Sequence, residues 1–154
     1  MLFLLVFGQV FSSCDKTEPV LADKIQLVSA RVGATNLVFN KVTEVNPTNR
    51  IILTFSAAIE LSGNNSIDLI QKDSGMQLEL IISAADLNRQ LELKTLDELT
   101  EGNAFILKIA NTLKGVDGGN FEGVNFDFEI KKEALVINSL TIGDIQLSSA
   151  ILNS

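Results

Sequence analysis

Between Lys24 and Lys131 apolar side chains recur at every second position in short runs, and the positions between them are mostly polar. That period belongs to strands with one buried and one wet face, and no stretch sustains the i, i+3, i+4 spacing of an amphipathic helix. The spacing predicts strands over 25–30, 37–40, 50–55, 66–71, 76–82, 90–95, 104–110 and 126–131, with one helical turn over 96–99. The inward phase reads Ile51, Leu53 and Phe55; Ile67 and Leu69; Leu78, Leu80 and Ile82; Leu91 and Leu93; Phe105, Leu107 and Ile109; Phe126, Phe128 and Ile130. Asp68, Gln77, Glu79, Glu92, Lys94, Lys108, Asp127 and Glu129 take the opposite phase, which faces water. Two antiparallel sheets packed face to face satisfy this pattern, so the fold class is an all-β sandwich. Gly and Asn in Ser62-Gly63-Asn64-Asn65, Asp73-Ser74-Gly75 and Asp117-Gly118-Gly119-Asn120 supply turns that need positive φ.

The ends of the chain depart from this pattern. Residues 1–13 form an apolar run too short to span a bilayer as a helix, and the small residues Ser12 and Ser13 lead into the only cysteine, Cys14. This segment resembles the signal peptide and lipobox of bacterial lipoproteins, although Phe11 stands where those proteins prefer an aliphatic residue and no Lys or Arg precedes the run. The resemblance implies cleavage before Cys14, acylation of its thiol, and membrane lipid as the partner that Cys14 engages. Two or more acyl chains make such attachment stable, whereas one is marginal. Residues 14–23 are polar, contain Pro19 and read as a flexible tether. The Cys-Asp-Lys-Thr-Glu start also resembles lipoproteins of the Bacteroidetes type, which implies the cell envelope, at the outer membrane or cell surface. At the far end Ile145-Gln146-Leu147-Ser148-Ser149-Ala150 repeats Ile25-Gln26-Leu27-Val28-Ser29-Ala30 at five of six positions. Residues 133–139 then read as a linker and 140–154 as the start of a second, truncated repeat; the rival reading makes this tail an edge strand of the same sandwich.

Composition removes several chemistries. The chain of 154 residues has no His, no Trp, no Tyr and one Cys, which excludes Ser/His/Asp and Cys/His nucleophile pairs, thiolate metal clusters and an intrachain disulfide. A net charge of −7 argues against nucleic acid as a partner. Asp117, Asn120, Glu122 and Asp127 carry oxygens suited to Ca²⁺, but no Asp-x-Asp-x-Asp-Gly loop accompanies them, and a solvated turn is the expectation. Phe39, Phe55, Phe105, Phe126 and Phe128 fall mostly on core phases, which leaves Phe121 as the aromatic expected to be exposed.

Several motifs in order resemble the bacterial Ig-like domain first associated with S-layer proteins of the SbsA type, over residues 24–132. They are Asn46-Pro47-Thr48-Asn49 leading into Arg50 to Ile59, then Leu99-Thr100-Glu101-Gly102-Asn103-Ala104-Phe105, then the Asp117 to Asn120 loop. The resemblance implies an immunoglobulin-like antiparallel β-sandwich that spaces, displays or adheres, with no catalytic, metal or cofactor residue to carry over. A non-catalytic spacer or interaction module is the leading expectation. The alternatives are a glycan- or protein-binding adhesion module, or the accessory part of a larger secreted polysaccharide-active enzyme.

Overall fold

A computed structural model describes residues 24–61 and 66–133, together with the backbone of four short strands between 135 and 152. The signal and tether, residues 1–23, and the Ser62 to Asn65 turn lie outside the described residues. Ten strands build the sandwich: β1 (Leu27–Val32), β2 (Thr35–Asn36), β3 (Val42–Val45), β4 (Arg50–Phe55), β5 (Ile67–Gln71), β6 (Gln77–Leu78), β7 (Ile81–Ala85), β8 (Gln90–Lys94), β9 (Ala104–Ile109) and β10 (Val124–Ile130). The first sheet has the order β2-β1-β4-β8-β7 and the second β3-β10-β9-β5-β6. With β1 as strand A, these contain the A-B-E-D and G-F-C orders of an immunoglobulin constant-type sandwich. All pairs are antiparallel except β3 on β10, which is parallel.

The inner faces carry the predicted phase. Ile51, Leu53, Phe55, Ile67, Leu69, Leu91, Leu93, Phe105, Leu107, Ile109, Phe126, Phe128 and Ile130 are all buried in one core, with Phe105 stacked on Phe128 at 5.6 Å between ring centres. Ile59, Leu99, Leu113 and Phe121 close it from the loops.

Two of the expected strands break where the chain changes sheet. Residues 76–82 divide into β6 on the second sheet and β7 on the first, yet Leu78, Leu80 and Ile82 all pack against the core. Both sheets share one interior, so an inward phase can run unbroken through a crossover. Residues 37–40 are not a strand. They carry the chain from β2 in the first sheet to β3 in the second, with Leu37 buried and its N–H donating to Ala30 O at 2.8 Å. The expected helical turn over 96–99 is absent as well. The Thr95 and Leu99 N–H groups donate outward to Asn49 O and Thr48 O, at 3.1 and 3.0 Å, and the segment bends at Leu96 and Asp97 in place of a helical turn.

Local irregularities have specific causes. In β3 the register passes from Val42↔Phe128 to Val45↔Ile130, three residues against two, and Glu44 absorbs the extra residue at φ 62°. Gly123 stands at φ 82° just before β10, where an added Cβ would lie 3.1 Å from Asn111 N and 3.2 Å from Ile109 O. Outside the core, Glu92 lies between two cations. Arg50 Nε approaches its Oε1 at 2.8 Å, and Lys94 Nζ lies 3.1 Å from the same oxygen. The hydrogen bond from Lys94, together with Arg50, holds the Glu92 carboxyl below its ordinary value against the opposing pull of desolvation.

Beyond the sandwich four short strands pair two by two. Strand β11 (Leu135–Ile137) pairs with β14 (Ala150–Leu152), and β12 (Leu140–Ile142) pairs with β13 (Ile145–Leu147), all antiparallel. These ladders are two-stranded sheets separate from the two five-stranded ones.

Phe55→Ala should lower stability by about 3–5 kcal/mol in urea unfolding, since the ring is buried at the end of β4 against Phe121; a loss under about 1 kcal/mol would contradict the packing. Gly123→Ala should destabilise by about 1–3 kcal/mol, from positive φ and crowding together. Glu92 predicts a pH effect whose sign comes from its lowered carboxyl. The ion pairs stabilise the fold above the unfolded carboxylate value, and the contribution disappears as pH falls through the lower folded value. The melting-temperature difference between wild type and Glu92→Gln should therefore be present at neutral pH and vanish in acid.

Candidate interaction surface

Cys14 lies outside the described residues. The acidic residues of the 117–127 region are described, and they do not converge. Glu122 pairs with Lys24, Asn120 accepts from Lys114, and Asp127 pairs across the second sheet with Lys72 at 2.9 Å. Among the described residues no group of three His, Cys, Asp or Glu side chains is placed to hold a metal ion.

The surface that stands out is apolar and lies along β1. The β1 register on β4 steps from Leu27↔Phe55 to Ser29↔Thr54, so Val28 is the extra residue of a bulge and its side chain is 65% exposed. On the side of β1 away from β4, β2 pairs only with Arg31 and Val32. Leu27, Val28 and Ser29 therefore have no strand beside them on that side among the described residues. Their neighbour across the gap is the crossover, which presents Val38 and Phe39 outward. Together with Phe121, Val124 and Phe126 these residues line a cleft of about 440 Å³, with the Lys24–Glu122 ion pair at its edge. A second cleft of about 350 Å³ lies between Met76 to Glu79 and Thr95 to Thr100.

Two aromatic expectations are reversed here. Phe39 is 85% exposed and rests flat on Phe126, with ring centres 5.9 Å apart and 23° between planes. Phe121 is only 6% exposed, and its ring meets Phe55 edge-on at 5.8 Å. The reason is the crossover: Leu37, Val38 and Phe39 are consecutive, so they cannot all face inward, and Leu37 takes the core position. Phe121 has no strand phase of its own and fills the open end between the sheets. The run of three apolar residues between Asn36 and Asn40 was the available signal, since a strand of this sandwich would alternate.

This architecture defines an immunoglobulin-like β-sandwich with an open first-strand edge. No known protein family and no curated protein matches the chain. Solved structures do match its fold. The N-terminal part of the bacterial S-layer protein SbsC superposes with a TM-score of 0.50 at 11% identity, over 85% of this chain and 33% of that one. CopC from Methylosinus trichosporium OB3b gives 0.52 at 19% identity, over 71% of this chain and 95% of that one. PcoC, a methionine-rich copper resistance protein from Escherichia coli, gives 0.50 at 14% identity, over 70% and 99%. The chain spans a third of the length of the SbsC fragment. At these identities the likeness shows the fold, which hosts unrelated functions.

Phe39→Ser should leave the melting temperature within about 2 °C of wild type and reduce the fluorescence of an apolar-surface dye such as ANS. A fall of about 5 °C would mean that Phe39 belongs to the core.

Proposed function

We propose that the chain is a lipid-anchored cell-surface protein whose Ig-like module is a non-catalytic spacer. The observation that carries this reading is where the chain enters and leaves the sandwich. It enters at Ile25, whose N–H donates to Asn120 O at 3.0 Å, beside the start of β10. It leaves at Lys131, whose N–H donates to Val45 O at 2.7 Å, beyond the end of β10. The seven residues of β10 separate these points by roughly 20 Å, at about 3.3 Å per residue. A module traversed from end to end adds its full length to the distance between the segments on its two sides.

The Ser12-Ser13-Cys14 pattern supports a membrane anchor on the N-terminal side, with residues 14–23 as tether and the outer membrane or cell surface as its place. The S-layer likeness fits display at a surface. Copper chemistry, which the name of PcoC states for that protein, has little support here, because copper favours imidazole and soft sulfur ligands and the chain has no His and only two Met. A second reading, a module that binds a protein partner, is favoured by the cleft beside β1. An extended peptide laid along Leu27 to Ser29 would gain backbone hydrogen bonds and bury its side chains against Phe39 and Phe126.

Replacing Cys14 tests the anchor. Cys14→Ser should move the protein from the membrane fraction to the soluble one in its bacterial host, with unchanged sandwich stability. Retention of the Cys14→Ser protein in the detergent phase would reject lipid attachment through this residue.

A further inference from the structure

A sheet edge that is long, straight and uncharged is a template for another strand, and the edges of this sandwich differ in how they are blunted. β6 is two residues long, and β3 carries its bulge at Glu44 beside the Lys41–Glu129 ion pair. On the β1 side, β2 covers Arg31 and Val32, and the bulge at Val28 interrupts what remains. β7 has none of these devices. Its five residues, Ile81-Ile82-Ser83-Ala84-Ala85, include no charge, no Pro and no Gly, and they pair with β8 in unbroken register. No strand among the described residues lies on their other side. Ile81 is 56% exposed, and Ser83, Ala84 and Ala85 are exposed with it.

The sequence of this edge is complementary to itself. Laid antiparallel about Ser83, Ile81 opposes Ala85 and Ile82 opposes Ala84, so on each face of the sheet a bulky side chain meets a small one. The crossover at Glu79 and Leu80 stops the strand at one end, and a turn with Asp86, Leu87 and Asn88 at φ 49°, 53° and 66° stops it at the other, so any slip from this register loses paired residues. Left-handed backbone is unusual for a leucine, and Leu87 there is 88% exposed, so a single copy gains no burial from it. A two-fold axis at Ser83 sets that turn beside the other copy's crossover, where Ile81 begins. It also brings Arg89 of one copy to the end at which Glu79 of the other stands. Both are exposed, and neither has an ion pair among the described residues. We infer that β7 pairs with β7 of a second copy of this chain across that axis, joining the first sheets of two sandwiches into one. The contact is isologous, so it uses up the edge in both copies and closes at a dimer. An edge of five residues is small beside a standard interface, which makes the dimer weak and concentration-dependent.

Sedimentation of the full chain over a concentration series tests this, and should show monomer and dimer in exchange. Ser83→Lys sets two like charges directly opposite each other at the axis and should weaken the dimer by about tenfold or more. Because residue 83 is exposed, the melting temperature of the dilute variant should stay within about 2 °C of wild type. Cysteine pairs read the register in a Cys14→Ser background, which removes the only native thiol. Under mild oxidation Ser83→Cys should cross-link with itself, whereas Ile81→Cys and Ala85→Cys should cross-link when mixed and not when alone. A chain that is monomeric at about 100 µM would overturn the inference, as would a dimer that Ser83→Lys leaves unchanged. Cross-linking of Ile81→Cys with itself as readily as with Ala85→Cys would overturn the two-fold pairing at Ser83.

Discussion

Everything in this molecule depends on closing one apolar layer between two sheets. Leu53 and Leu93 from the first sheet and Leu69, Leu107 and Phe128 from the second have no exposed surface at all. Each contributes about 25 cal/mol per Å² of apolar area removed from water, and together they specify the sheets' register, because a one-residue slip would turn a whole strand's set outward. The crossovers, turns and bulges are arranged around that layer. Where the chain passes between sheets, at 37–41 and 79–80, the residue that can reach the interior does so and its neighbours turn outward.

The same constraint produces the exposed surface. Once Leu37 takes the core position, Val38 and Phe39 have nowhere to go but the outside, and the bulge at Val28 turns a third apolar side chain toward them. The cleft along β1 is thus a consequence of how the chain crosses from β2 to β3. It coincides with the stretch of β1 that no strand covers on its far side among the described residues. Edges of this kind invite strand pairing unless they are covered or charged, and the Lys24–Glu122 pair guards only one end. The proposed spacer role draws on the same strand, which follows directly on the point where the chain enters the sandwich at Ile25.

Charge is organised separately, on the outer faces. Lys72 with Asp127, Lys41 with Glu129, and Arg50 and Lys94 with Glu92 are cross-strand or same-strand neighbours exposed to solvent, where such pairs contribute little each. Of the oxygen-bearing residues that the chain brings close in sequence, Asp117, Asn120, Glu122 and Asp127, the last three each face a different lysine.

The all-β class, the bounds of β4 and the inward phase from Ile51 to Ile130 were legible in the chain itself, because alternation is a local property that a strand with one wet face must display. Tertiary structure alone decided where a continuous phase is cut by a change of sheet, as at Glu79 and Leu80, since both sheets look into one interior and the pattern does not register the crossing. It also decided which aromatic is exposed. Phe39 and Phe121 exchanged their expected places because residues in connections have no period of their own, and their burial depends on which gap between the sheets remains to be filled. The parallel pairing of β3 with β10 and the open edge of β1 belong to this second kind, as relations between strands far apart in the chain that only the assembled sheets define.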